Sequence, residues 1–590
     1  MTYLREKKKL KYISIGTLFT AYFLYFTICN ANHIHYLEET QLFIWSLDFL
    51  KEQFSLPGAL PLYAGSFFTQ FFISSWIGGL IFTLNALVVF ILSSYILKKH
   101  NFQNIIIALV PVWMLAFLQS NEFYVFAQAI GFLLLLSFFA LYISFTRTRI
   151  RYIFFFTGWP IFYLLTGGFA EVCVLLCILH ELLFRNEKAR YLFAFLYAAA
   201  GVSLPYLFSR FLYYIQPDTI FTYPVNFQLP LIFKYVQISL LAWTPLILSA
   251  CFLLSKFKTA VDTLFSWSIR NIVAGSLLII LMSYVVYRHS YNKMADMMLG
   301  VDHYAQIEQW DKILRISEKY EGYNTLMIYY TNLALYNTGK LLDNMFDYPQ
   351  IGSQGLRLRW QRNLNLFFGG EVFSQLSYNN ESIHWAFESL VAVGMNPRSL
   401  KKLSVGFYVN GNDEIAEKYL SILKKTLFYR KWAQQHIRYL SDTELAKEDP
   451  EISHYKALLV NTNFFSEVNG LNLQDLLKNH PNNKMAYEYL IASLLLDRNL
   501  NDFASAVQYL KDYGYRNIPV NIEEALVFYD FFENKSIVPE GYSVRQETLD
   551  RFEDYVVIYM KYGKNLKVAA NELRKKYKKS YWYYLQFSNK

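Results

Sequence analysis

Three glutamates and two cations stand at the edges of long apolar runs, and they are the residues best suited to chemistry. Glu38 and Glu39 follow the first run, Glu122 sits in "QSNEFY" between two later runs, and Arg210 and Lys234 flank the 216–230 segment. A positioned carboxylate can take a proton from a hydroxyl or hold a divalent ion. Arginine and lysine can neutralise a departing phosphate. Each residue also has a plainer role: the glutamates as solvated interface or loop-tip groups, Arg210 and Lys234 as anchors whose stems snorkel to the headgroups.

Other polar residues have weaker claims. His33 and His35 could ligate a metal beside Glu38, although histidines at an interface are more often idle. Glu171 lies just inside an apolar run, where a structural hydrogen bond to the Thr166-Gly167-Gly168 turn accounts for it. His180 and Glu181 fall near the end of the same run and are expected to be solvated. Cys29, Cys173, Cys177 and Cys251 all lie in apolar runs, so a disulfide-stapled domain is excluded. Cys173 and Cys177 read as small apolar helix residues. The chain has no HExxH, no Walker loop, no GxGxxG after a strand and no zinc-spaced cysteine set.

The elements that must hold these residues follow from composition. Of 590 residues, 54% are hydrophobic and 17% charged. Up to His289 there are 20 Lys+Arg and 11 Asp+Glu; beyond it, 36 and 35. The excess positive charge therefore lies in short segments between apolar runs, a pattern of membrane orientation and not of nucleic-acid binding. The runs, at about 13–29, 72–97, 104–118, 123–145, 152–166, 168–184, 191–215, 231–255 and 271–287, predict nine spans. One set of connections carries sixteen basic residues, Arg5 to Lys11, Lys98, Lys99, Arg147, Arg149, Arg151, Arg185, Lys188, Arg190, Lys256, Lys258 and Arg270 among them. The opposite set carries only Lys51. The N-terminus is thus expected in the cytoplasm of a bacterium, and residues 291–590 outside its inner membrane.

The first outer segment, 30–71, reads "NANHIHYLEETQLFIWSLDFLKEQFSLPGALPLYAGSFFTQFF". Leu42–Leu50 can form an amphipathic helix lying on the membrane, and Pro57, Gly58, Pro61 and Gly65 force turns before the second span. This order resembles the GT-C superfamily of integral-membrane glycosyltransferases, which use polyprenyl-linked sugar donors. There an acidic residue opens the first outer loop, interfacial helices follow, and a long second span starts after a "P…Y…G" stretch. Glu38 or Glu39 matches the acidic position, where the superfamily usually has Asp. Glu122 matches a second acidic residue between spans 3 and 4. The resemblance covers roughly residues 1–145. It implies a lipid-linked-sugar transferase with a carboxylate base, a divalent metal or cations on the phosphate, and a polyprenyl phosphate donor.

From about 291 the pattern is helical and amphipathic. Asn396 can cap a helix, Pro397 suits its first turn, and Leu400, Leu403 and Phe407 share a face. Gly411-Asn412 breaks it. Asp413 can cap a second helix with Ile415, Ala416, Tyr419, Leu420 and Leu423 on one face. Gly411 and Ala416 stand where two helices would approach closely. This unit, with similar pairs at about 301–338 and 484–512, resembles a degenerate tetratricopeptide (TPR) array. The whole layout, nine spans and a TPR-like tail with "NPRSL", is similar to a family of multispan membrane proteins from Bacteroidota.

The expected fold is all-α: a polytopic membrane domain over 1–290 and a soluble TPR-like α-solenoid over 291–590. Two functions from different classes fit. One is a GT-C-like transferase whose tail binds an acceptor or a partner. The other is a non-catalytic membrane-anchored scaffold for cell-envelope assembly. A polysaccharide polymerase or ligase ranks last, because the chain lacks a large outer loop rich in Arg and His.

Overall fold

Apolar runs bounded by polar residues can satisfy their backbone in a membrane only as helices, and each of the nine runs lies on a helix in the computed structural model. The structure describes residues 2–102, 104–213, 215–216, 218–255, 269–359, 362–460, 471–562 and 565–588. Lys256 and Lys258 lie outside the described residues, as do the side chains of Arg5, Lys7, Lys8, Lys9, Lys11 and Arg270. No strand occurs among the described residues. Among the described residues, four helices are long and apolar enough to cross a membrane, or five if one bent pair counts as a span. The chain divides into two compact units, one of residues 1–296 with 425–428, the other of 297–424 with 429–590.

In the first unit the helices are α1 (Thr2–Leu24), α2 (Ala31–Glu39), α3 (Leu47–Gln53), α4 (Ala59–Thr69), α5 (Ser75–Lys99), α6 (Ile105–Gln119), α7 (Phe126–Ser144), α8 (Thr148–Thr166), α9 (Gly168–Phe184), α10 (Arg190–Phe211), α11 (Leu231–Ser255) and α12 (Ile269–Ser290). Their connections gather at two ends. At one, Gln128 Nε2 donates to Pro224 O, Gly168 N to Tyr223 O, and Gly58 N to Leu164 O. At the other, His100 bonds His180, and Thr148 bonds Glu187.

The 30–71 segment differs from expectation. Leu42, Phe43 and Ile44 are buried and non-helical. The helix starts instead at Leu47, because Ser46 accepts a hydrogen bond from Phe49 N and caps it. Gly58, at φ +84°, makes the expected turn. Pro61 and Gly65, however, lie inside α4: proline is tolerated in a first turn, and Gly65 lets α4 meet Ala127 of α7.

The second unit's described residues form helices joined by turns and loops, with helices Asn379–Val393, Pro397–Val409 and Asp413–Leu423 in succession. Asn396 caps the middle one by accepting from Ser399 N. Leu400, Leu403, Ala416, Leu420 and Leu423 are buried, but Ile415 is exposed, one position off the buried stripe. The next helix is preceded by Asn412 without a side-chain cap, so Asp413 is its first residue and not its cap. Gly411 is not a close-approach glycine. A Cβ there would meet nothing within 4 Å, and the residue is needed for its φ of +75°. Gly406 is where helices touch, against Ile383. Arg398 of "NPRSL" reaches Asp302 through two hydrogen bonds, 2.9 and 2.7 Å, and Tyr330 donates to the same carboxylate.

Candidate functional site

A polar layer forms where α1 breaks. Its last turn, Tyr25–Cys29, is a π-helix, and α2 leaves at 68°; such bulges recur at functional sites. Gly78 of α5 makes room for α2, since a Cβ there would stand 2.5 Å from Ile34. The bend buries His33 and Glu38 and leaves His35 and Glu39 half-buried. The His33 ring lies against the backbone of Gln119, at the end of α6. Tyr22 OH donates to Gln119 Oε1 at 2.6 Å, and Tyr25 OH meets Ser120 Oγ at 2.9 Å and Ser290 Oγ at 3.2 Å. Asn32 Nδ2 donates to Asp296 Oδ1 at 3.0 Å.

Several buried atoms in this layer have no partner among the described residues: Asn30 Nδ2, His33 Nε2, Gln119 Nε2 and Tyr124 OH. Buried polar atoms are nearly always bonded, so these four are the groups here that a water or a polar ligand would satisfy.

The proposed site residues are distributed around this layer. Glu122 lies in the turn after Gln119, with Asn121 Nδ2 donating to its Oε2 at 3.3 Å, and burial raises its carboxyl above the ordinary carboxylate range. Lys234 is half-buried at the start of α11. Its neighbour Phe233 packs on Phe117 at 4.8 Å, beside the end of α6. Arg210 is exposed in the last turn of α10 and forms no ion pair among the described residues. The structure thus joins segment 30–71 to the α6–α7 turn and brings the start of α11 beside it, but no contact among the described residues ties Arg210 to that layer. No group of three or more His, Cys, Asp or Glu side chains that could hold a metal occurs among the described residues.

The opposite end corrects two expectations. His180 and Glu181 are buried, not solvated. Arg151, counted above as a loop charge, is fully buried in α8 and pairs with Glu181, while Tyr142 OH donates to Glu181 Oε1 at 2.6 Å and meets Tyr197 OH at 3.2 Å. A periodicity signal existed. Arg151, Phe155 and Trp159 recur every four residues on one buried face, as do Cys173, Cys177 and Glu181.

Glu171 is also not where its residue type suggested. Thr166 Oγ1 donates to Phe162 O, Gly167 N to Tyr163 O, and Gly168 N to Tyr223 O. The turn has nothing left for Glu171, whose Oε1 is buried without a partner among the described residues.

The second unit holds a polar cavity of about 520 Å³, lined by Ser353, Arg357, Arg359, Asn472, Asp475 and Asp497 among others. Asp475 is bonded by Lys478 at 3.0 Å, and Asp497 accepts from Ser353 N at 3.1 Å.

A family described as "Family of unknown function (DUF6057)" matches residues 7–588. The chain belongs to that family. Because the DUF6057 match runs through both compact units, the apolar helices and the helical tail are parts of one family unit. No curated protein and no solved structure matches the chain.

Proposed function

We propose that this protein is an inner-membrane GT-C-like glycosyltransferase taking a sugar from a polyprenyl-phosphate donor at the periplasmic face. The observation that carries the reading is the bent α1–α2 segment. It sets buried His33 against Gln119, three residues before Glu122, within a layer of partnerless polar atoms. An acceptor hydroxyl attacks the sugar's anomeric carbon, the bond from that carbon to the phosphate oxygen breaks, and the hydroxyl proton passes to a carboxylate. Glu39, or its neighbour Glu38, is that base. Glu122, whose raised carboxyl is a better proton acceptor, is the second carboxylate. Lys234 and Arg210 balance the charge on the departing polyprenyl phosphate.

With this reading go nine spans, a cytoplasmic N-terminus, and a periplasmic TPR-like tail that binds the acceptor or a protein partner. The polar cavity suits a polar acceptor. The competing reading is a non-catalytic scaffold, and the observation in its favour is the exposed Arg210, which forms no ion pair among the described residues. Glutamine variants of Glu38, Glu39 and Glu122, tested for complementation of a deletion strain, separate the two.

A further inference from the structure

The charge of the chain's second half is not spread evenly. Residues 561–579 hold eight Lys+Arg and one acid, Glu572, whereas the rest of the chain beyond His289 holds 28 and 34. The excess falls on helix Leu566–Tyr577 and its flanks. That helix buries Ala569, Leu573 and Tyr577, a spacing of four that sets one face against the core. Lys567, Asn571, Arg574 and Lys578 recur at spacings of four, three and four on the other side, and all four are exposed.

Ordinary helix electrostatics accounts for part of this. Arg574, Lys575 and Lys576 lie in the last turn, where the helix dipole favours cations. Three neighbouring acids are also taken: Lys575 bonds Glu572 at 2.7 Å, Lys576 bonds Asp554 at 2.7 Å, and Lys579 stands 4.0 Å from Asp347. Lys567 is not explained this way. It sits in the first turn, which carries no acid and whose dipole opposes a cation. Lys567, Arg574 and Lys578 have no acid paired with them among the described residues. Like charges four apart, as in Arg574 and Lys578, destabilise a helix. A row of cations kept at a local cost points to a partner of negative charge.

The apolar residues beside the row say which kind. Helix Gln546–Tyr562 packs antiparallel on helix Leu566–Tyr577 through Asp554, which accepts from Lys576 Nζ at 2.7 Å and from Tyr577 OH at 2.5 Å. The end of the first helix and the start of the second therefore meet at one end of the hairpin. There Met560 is 69% and Leu566 60% exposed, with Val557 and Val568 exposed beside them. A soluble polyanion needs the cations alone. A bilayer surface takes cations at its head groups and apolar side chains between them.

We propose that the face carrying Lys567, Arg574 and Lys578, with Met560 and Leu566 at the hairpin end, docks on a bilayer surface of anionic phospholipid. The proposal rests on this face and on no step of glycosyl transfer, so either can fail without the other.

The test uses the full chain in phosphatidylcholine nanodiscs and a water-soluble reagent that acetylates amines, with peptide mass spectrometry reading each lysine. Phosphatidylglycerol is offered within the disc or in added vesicles. Lys447, exposed and outside this hairpin, is the reference. At low salt, phosphatidylglycerol by one route or the other slows acetylation of Lys567 and Lys578 relative to Lys447 about fivefold, the equivalent of ~1 kcal/mol for a cation at an anionic surface. About 1 M salt, where the Debye length is about 3 Å, removes the effect. Arg574→Gln weakens the protection at both lysines, as does Met560→Ser with Leu566→Ser; all three side chains are exposed, so these variants keep the melting temperature. Equal rates with and without phosphatidylglycerol overturn the proposal. Protection that survives Met560→Ser with Leu566→Ser in full makes the face a binder of any polyanion and overturns it too.

Discussion

Arg151 and Glu181 meet as a two-pronged ion pair, Nε to Oε1 at 2.6 Å and Nη2 to Oε2 at 3.1 Å, with neither side chain exposed. Tyr142 and Tyr197 complete the group, so α7, α8, α9 and α10 each contribute one side chain. Glu187, at 3.5 Å from Arg151, links the group to the connection after α9.

Breaking such a pair from one side leaves a buried charge alone. Arg151→Ala or Glu181→Ala is expected to cost about 3–5 kcal/mol. The double variant Arg151→Met with Glu181→Leu is expected to recover most of that loss. Thermal unfolding of the detergent-solubilised protein measures both. Single and double variants of equal stability would show that the pair does not hold the helices.

Gly411 gives a graded test of a helix end. Gly411 N donates to Tyr408 O and Asn412 N to Phe407 O, while Gly411 itself sits at φ +75°. Gly411→Ala meets no steric contact and should cost only about 1–2 kcal/mol of backbone strain. Gly411→Pro cannot adopt that φ, loses the bond to Tyr408 and disfavours the αR conformation of Asn410, and should cost ~3 kcal/mol or more. Equal melting temperatures for the two variants would contradict this account of the turn.

Two carboxyls of the second unit, buried Glu524 and half-buried Glu371, make opposite contributions to the pH profile. Burial pushes Glu524 up to about 7, against the pull of Tyr581 N–H and Arg551. Its folded state holds a proton that the unfolded chain has released, so its stabilisation is present at low pH and is lost as pH rises from about 4.5 to about 7. For Glu371 burial acts upward too, but Lys402 at 2.7 Å, with Arg398 and Gln306, holds the carboxyl below its ordinary value. That stabilisation is present at neutral pH and lost in acid. Melting temperature against pH is expected to flatten between about 4.5 and 7 in Glu524→Gln, and to lose part of its acid decline in Lys402→Met.

Removal of a general base typically costs about 10²–10⁴-fold in rate. Under the transferase reading, replacing Glu38 and Glu39 together by glutamine abolishes complementation while the protein still inserts, and Glu122→Gln does the same. Full complementation by both of these variants leaves the scaffold reading in its place, as does a phenotype confined to tail deletions.

Topology is checked by reporter fusions. A periplasm-dependent reporter fused after residue 300 should be active, and a cytoplasm-dependent one silent. The reverse pattern would overturn the orientation drawn from loop charge.

What the chain's sequence determines by itself is local. Apolar length and charge placement mark the helices of the first unit, because a membrane leaves a backbone no other option. Asn396, Pro397 and Gly411 mark helix ends, because capping and positive φ depend on one to four neighbouring residues. Within 30–71 those same local rules misplaced a helix, because Leu42, Phe43 and Ile44 are buried by packing in the folded unit and not by a helical face of their own. Only the tertiary structure decided which polar residues meet. Arg151 lies 30 positions from Glu181, and Tyr22 lies 97 from Gln119. Such pairs depend on how helices pack, so no window of sequence reveals them. The same holds for Glu171: its residue type suggested a bond to its own turn, and the loop carrying Tyr223 had already taken that turn's free N–H.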